Sequence, residues 1–354
     1  MRRPRRAARR IALNIIWTLS VTALIAVIIT FVLGFPLIPA LRRLKFGQTI
    51  LDIGPAWHKE KKQGTPTMGG FMFIIGICAA FSVGMFMLWN NGSLEFNNPV
   101  GRMDFFRAIA GVLMALSFGF MGFLDDWLKV RRKQNQGLSV NQKLVLQVLI
   151  VTAYFTCRVI AGDTNTTINF SVFGSIDFWY FYYIVMGLGI IYIVNAVNIT
   201  DGVDGLCSSV TVVYCAAFMI ICGLLHMDEL SVLAAATAGG CIGFLIWNFN
   251  PAKIFMGDTG SLFLGGVVCA IGLGANAELV MVIAAAVYIW EALTVLIQTT
   301  YFKATGGKRL FKMTPIHHSF ELKGWKETKI VVVFSLIAAA FGAAATLLVF
   351  LEVR

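Results

Sequence analysis

Long apolar runs alternate with short polar ones along nearly the whole chain. The runs lie near 13–40, 70–89, 105–124, 144–162, 178–197, 206–225, 230–248, 261–275, 279–302 and 329–351. A helix needs roughly 20 mostly apolar residues to cross the hydrocarbon core of a bilayer, so the pattern predicts about ten membrane-crossing helices. The eighth run, SLFLGGVVCAIGLGA, is short and rich in glycine and fits that ruler least well. The first run is too long for a removable leader and lacks a small-residue cleavage site. No connection is long enough for a soluble domain, so residues 1–354 are read as one polytopic membrane unit.

Composition agrees. Of 354 residues, 58% are hydrophobic and 13% charged, where soluble proteins average about 25% charged. The predicted fold class is therefore all-α, an integral membrane protein. Seven cysteines lie almost wholly within apolar runs and form no CxxC pair. They are read as packing residues rather than as disulfides or zinc ligands.

Charge sets the expected orientation. Most of the 29 lysines and arginines fall in the first, third, seventh and ninth connections, for example Arg42, Lys62, Lys129, Lys143, Lys253 and Lys308. Short loops rich in Lys and Arg stay cytoplasmic, so the odd connections are placed in the cytoplasm and both termini outside. The N-terminal MRRPRRAARR runs against this rule, and the later basic loops outvote it.

Acidic groups at membrane depth are functional candidates by default. Asp125, Asp126, Asp201, Asp204 and Asp258 all map to the predicted cytoplasmic ends. The external NNGSLEFNNPVGRMD and GDTNTTINFSVFGSID read as solvated turns without a constellation. HKEKKQGTPTMGG offers His58, Lys59, Lys61, Lys62, Thr65 and Thr67 before a helix start, a combination suited to phosphate; it also fits an ordinary basic loop. In GFLDDWLK, Asp125 and Asp126 point about 100° apart on a helix and should have different partners, with a salt bridge to Lys129 or Arg131 as one option. Asn198, Asp201 and Asp204 in NAVNITDGVDGL recur every third residue and on a helix would lie roughly along one face, while Gly202 and Gly205 imply either a break or a close backbone approach. Asp258, on the turn GDTGS, could cap a helix or bind Mg²⁺, which takes oxygen ligands from one or two carboxylates plus substrate phosphates. His317 and His318 are adjacent, poorly placed to chelate one ion, and read as substrate contacts. Glu291, within VYIWEALTVLIQ, reads as an interior hydrogen-bonding group. No GxxxxGK[ST] or GxGxxG occurs, which excludes P-loop and Rossmann sites.

Carboxylates, cations and an expected Mg²⁺ at one membrane face suit transfer of a phosphorylated group from a water-soluble donor to a lipid acceptor. A transporter would be expected to place its acids near the bilayer midplane instead.

KKQGTPTMGG, GFLDDWLK, NAVNITDGVDGL, NFNPAKIFMGDTGSLFLGG and PIHHSFELKGW resemble, in order, the motifs of the phospho-N-acetylmuramoyl-pentapeptide transferase family. The wider superfamily of polyprenyl-phosphate sugar-1-phosphate transferases shares the aspartate elements; GTPTMGG and PIHH are the narrower signature. The resemblance implies transfer from UDP-N-acetylmuramoyl-pentapeptide to undecaprenyl phosphate, giving lipid I and UMP, with Mg²⁺. It further implies a homodimer in the bacterial inner membrane, with the site facing the cytoplasm. By the same resemblance Asp258 is the metal ligand, Asp125 the acid that deprotonates the lipid phosphate, and Asp126 its neighbour near the metal. Asn198, Asp201 and Asp204 would line the nucleotide side, with Lys62 and Thr67 near the donor, and His317 and His318 would contact substrate. The family's third histidine is Ser319 here, a departure. A sister transferase using UDP-N-acetylglucosamine is the nearest alternative.

Overall fold

The computed structural model describes residues 2–44, 64–94, 98–132, 134, 136–170 and 174–354. Its helices are α1 (Arg2–Arg43), α2 (Gly70–Asn90), α3 (Pro99–Arg132), α4 (Val140–Ile160), α5 (Phe181–Thr200), α6 (Leu206–Leu224) and α7 (Asp228–Asn248). They continue as α8 (Gly257–Gly274), α9 (Glu278–Ala284), α10 (Ala286–Ala304), α11 (Ile316–Glu321) and α12 (Glu327–Val353). A short antiparallel hairpin, β1 (Thr167–Asn169) and β2 (Ser175–Asp177), joins α4 to α5. Among the described residues nine helices are long and apolar enough to cross a membrane, and the bent pair of α9 and α10 makes a tenth if it is counted as one span. The chain is an all-α, multi-pass membrane protein.

The glycine-rich eighth run is the most buried helix of all. α8 packs along α3 and α5 and also meets α2 and α9. Its glycines explain both the weak hydropathy signal and the position. A Cβ on Gly266 would lie 2.6 Å from the Cα of Ala115 on α3, and one on Gly265 would lie 2.7 Å from the Cα of Val194 on α5. Small residues let membrane helices approach until their backbones nearly touch.

The run at 279–302, predicted as one helix, breaks by 74° at Ala285. No proline or glycine marks the break. The two halves differ in packing: α9 lies mainly against α12 and also α8, whereas α10 lies mainly against α5 and less against α12.

Hydrogen bonds define the two ends of the bundle. At one end Arg107 of α3 grips Asp163 with Nε at 2.7 Å and Nη2 at 2.9 Å, and Arg158 of α4 donates Nε to the same carboxylate at 2.7 Å. Arg158 also donates to the carbonyl of Leu273 and to Asn276 Oδ1, tying α4 to the end of α8. Beside this group Tyr182 donates its hydroxyl to Glu278 at 2.7 Å, joining α5 to α9. The loop expected to be a plain solvated turn thus holds a buried ion cluster. Burial would raise the Asp163 pKa, but hydrogen bonds from Arg107 and then the charges of both arginines outweigh it and hold the carboxyl below the usual range. Motif reading misses the group because its members come from helix ends far apart in sequence.

Candidate active site

The opposite end gathers the aspartates. Asp125 and Asp126 lie in the last third of α3, which continues to Arg132, and Gly119 and Gly122 allow α3 to lie against the first turn of α8; a Cβ on Gly122 would meet the Asp258 carbonyl oxygen at 2.1 Å. Asp258 stands in that first turn of α8, just after Gly257, whose φ of +70° is a conformation that favours glycine. The loop before α2 pairs with the same turn: Phe255 N donates to Pro66 O, Gly69 N to Phe255 O and Gly70 N to Met256 O. This brings buried Thr67 beside Gly257.

Carboxylate oxygens of Asp125, Asp126 and Asp258 lie within 4.8 Å of one another. Asp126 accepts two hydrogen bonds from Thr259, N–H at 2.9 Å and Oγ1 at 2.8 Å. Asp125 accepts from the Leu138 N–H at 2.7 Å. The ammonium of Lys129 reaches all three acids, at 2.7 Å from Asp125, 3.8 Å from Asp126 and 2.9 Å from Asp258. Lys143, in the first turn of α4, adds contacts of 3.1 Å to Asp125 and 3.4 Å to Asp258. A capping box, Ser139 with Gln142, fixes the start of that helix. Asn198 on α5 donates to Asp258 Oδ1 at 3.0 Å and to Ser261 at 2.7 Å. The donor set is all oxygen, crowded at contact distances around a positive charge, and it could hold a hard divalent cation.

Asn198, Asp201 and Asp204 do not share one helix face. α5 ends at Thr200, Asp201 follows it, and the chain turns through Gly202 to Gly205. Only Asn198 meets Asp258. Asp204 is buried, and its Oδ2 accepts from Asn250 Nδ2 at 3.1 Å and from Ala252 N–H at 3.0 Å. Its own N–H donates to Glu327 at 3.0 Å. A proline-containing turn after α7 is thereby held beside the site. The spacing gives one stripe only while a helix continues; the helix ends at Thr200, and of the two options that Gly202 and Gly205 left open the break is the one found. Asp204→Ala is expected to cost about 1–3 kcal/mol, since two donors lose their acceptor, and to lower activity, whereas Asp228→Ala, at the other membrane end, should leave turnover near wild type. Equal losses in a transfer assay would defeat this distinction.

His317 and His318 meet edge to face, with centroids 4.2 Å apart and ring planes at 68°. His318 Nδ1 lies 2.6 Å from Glu321. His317 is wholly buried, with Nδ1 3.1 Å from Glu291 Oε2 and Nε2 against Gly202. Both had been expected to touch substrate, yet the His317 side chain faces protein on these sides. Ser319, in the place of the family's third histidine, is buried and hydrogen bonded to both the N–H and the carbonyl of Met313. Lys62 and His58 lie outside the described residues.

Lys143, Thr259 and Ser261 were missed as site residues. In the sequence Lys143 is one cation among several in a basic connection, and nothing in the spacing of Thr259 and Ser261 ties them to the aspartates; the fold does.

Residues 108–276 match the family model described as Glycosyl transferase family 4. A phospho-N-acetylmuramoyl-pentapeptide-transferase of Halalkalibacterium halodurans is 40% identical over 336 residues, covering 95% of this chain and 98% of that protein. The namesakes of Clostridioides difficile and Listeria monocytogenes are 42% and 41% identical over 322 and 321 residues, each covering 90% of this chain and 94% of the relative. Likeness of this depth over almost the full length of both partners is a family relationship, and the chain belongs to the phospho-N-acetylmuramoyl-pentapeptide transferase family.

Proposed function

We propose that the protein transfers phospho-N-acetylmuramoyl-pentapeptide from its UDP-linked donor to undecaprenyl phosphate, forming lipid I and releasing UMP. The observation that carries this reading is the group of three carboxylates and two lysines at one end of the bundle. The basic connections around it support a cytoplasmic site in the bacterial inner membrane. The homodimer belongs to the same reading through the family resemblance alone.

Asp125, Asp126 and Asp258 would hold Mg²⁺. When bound there, the ion would supply charge neutralisation to the donor pyrophosphate. Lys129 and Lys143 neutralise the remaining phosphate charge, and Asn198 keeps Asp258 turned into the cluster. An oxygen of the lipid phosphate attacks the phosphorus that bears the sugar. A P–O bond forms, the bond to the bridging oxygen breaks, and UMP leaves with the electron pair. Direct displacement is favoured over a phospho-aspartyl intermediate because Asp125 already accepts from Leu138 and pairs with both lysines. Already ionised near neutral pH, a phosphate monoester has little need of a strong base, and positioning carries most of the catalysis. Asp201, Thr67, Lys62 and His318 are assigned to the donor.

The test is UMP release by detergent-purified protein given undecaprenyl phosphate and either UDP-N-acetylmuramoyl-pentapeptide or UDP-N-acetylglucosamine, with and without Mg²⁺. Release with the muramoyl donor and metal alone is the expected result. Release with the other donor would move the chain's activity to the sister reaction.

A further inference from the structure

Glu291 and His317 form a buried pair that the transfer chemistry does not use. Glu291 sits on α10, beyond the 74° break, and His317 on α11; both side chains have no exposure. Nδ1 of the imidazole stands 3.1 Å from Oε2 of the carboxylate. Both ring nitrogens and both carboxylate oxygens are buried without a hydrogen-bond partner among the described residues, so the two groups face each other at ion-pair distance only. An ionisable pair so enclosed is weak evidence for stability, because an apolar pair of similar volume often packs as well.

The other edge of the imidazole shows what the pair acts on. Nε2 faces Gly202 so closely that a Cβ there would lie 2.3 Å from it. Gly202 lies in the turn that carries Asp201. That turn is fixed at one side by Asn198 on Asp258 and at the other by Asp204 on Asn250, Ala252 and Glu327. The imidazole bears on its middle.

We infer that Glu291 is a positioning residue: its carboxylate fixes the His317 ring, and the ring sets the Asp201–Gly202 turn against which the nucleotide half of the donor binds. A carboxylate facing one nitrogen of a buried histidine orients the ring and so sets what its other edge meets. His317 is thus a backing group, and the neighbouring His318 is the ring left to meet substrate. The inference rests on the proposed transfer reaction for the identity of the donor.

The test compares wild-type full-length protein with E291Q, H317Q, the double variant and E291D, each checked for a monodisperse detergent peak. UMP release is measured while donor, acceptor and Mg²⁺ are varied in turn, and UMP binding is measured by calorimetry. E291Q is expected to raise the donor KM and weaken UMP binding about tenfold, the low end for loss of an orienting partner. Acceptor KM and the Mg²⁺ requirement should stay unchanged, and E291D should recover part of the loss. In the H317Q background E291Q should add little. An unchanged donor KM in E291Q overturns the inference, as does an effect of equal size in both backgrounds. If E291Q does not stay monodisperse, E291D and H317Q decide the matter, since each keeps a polar group in the pocket: donor KM raised in both supports the role, and unchanged in both overturns it. Wild-type protein that releases no UMP defeats the transfer reading instead, and the UMP titrations still test the pair.

Discussion

Asp258→Asn is expected to reduce transfer by about a thousandfold or more while leaving the protein folded. Removing one preorganised electrostatic partner at a reacting centre commonly costs a hundredfold to a thousandfold, and the loss of a proposed metal ligand is expected to cost no less. Asparagine keeps the volume and one oxygen, so α8 can still pack on α3. What it loses is the negative charge shared by Lys129 at 2.9 Å and Lys143 at 3.4 Å. Those ammonium groups would then bear on Asp125 and Asp126 alone, and a divalent cation would meet one carboxylate fewer. Turnover as a function of Mg²⁺ concentration checks this directly. A variant with near wild-type rate and an unaltered Mg²⁺ requirement would remove Asp258 from the metal site.

The second large effect belongs to the far end of the bundle and concerns stability. Arg158→Ala should destabilise the protein by about 3–5 kcal/mol, the usual cost of removing one partner from a buried charge pair. Arg158 holds Asp163, the Leu273 carbonyl and Asn276 together, and its loss strands acceptors from three segments. The thermal midpoint in detergent should fall clearly, with activity per folded molecule retained at low temperature because the aspartate cluster lies at the other end. A midpoint indistinguishable from wild type would mean that Arg107 alone satisfies Asp163. The pH dependence follows from the depressed Asp163 pKa. A carboxyl held low in the fold contributes its stability above the ordinary aspartate pKa, and that contribution fades as pH falls through the folded value. Arg158→Ala should therefore narrow the gap in stability between neutral and acidic buffer.

Much of the architecture is legible in the hydrophobic runs because a bilayer demands long apolar helices whatever their function. The limits are equally physical. Hydropathy cannot show the break at Ala285, where α9 and α10 part toward mainly different neighbours. It undervalued α8, whose glycines lower its hydropathy for the very reason that it sits at the centre. Spacing brought Asn198 to the site but misjudged Asp204, since periodicity holds only while the helix continues. His317 shows the same limit in a side chain: an imidazole in a polar loop looks available, and only the fold reveals that Glu291 and Gly202 enclose it. Asp125, Asp126 and Asp258 come from segments more than a hundred residues apart, yet their chemistry alone made them candidates.

The close backbone contacts of α8 bear on how the protein meets membranes of different thickness. Hydrophobic mismatch is usually absorbed by helix tilt. Here α1, α4 and α12 are largely exposed and have room to tilt, whereas α8 is enclosed on nearly every side. Gly265 against Val194 and Gly266 against Ala115 act as an interlock that resists sliding along the helix axis. A thinner or thicker bilayer would thus be accommodated at the rim of the bundle, while Asp258 keeps its height relative to Asp125 and Asp126.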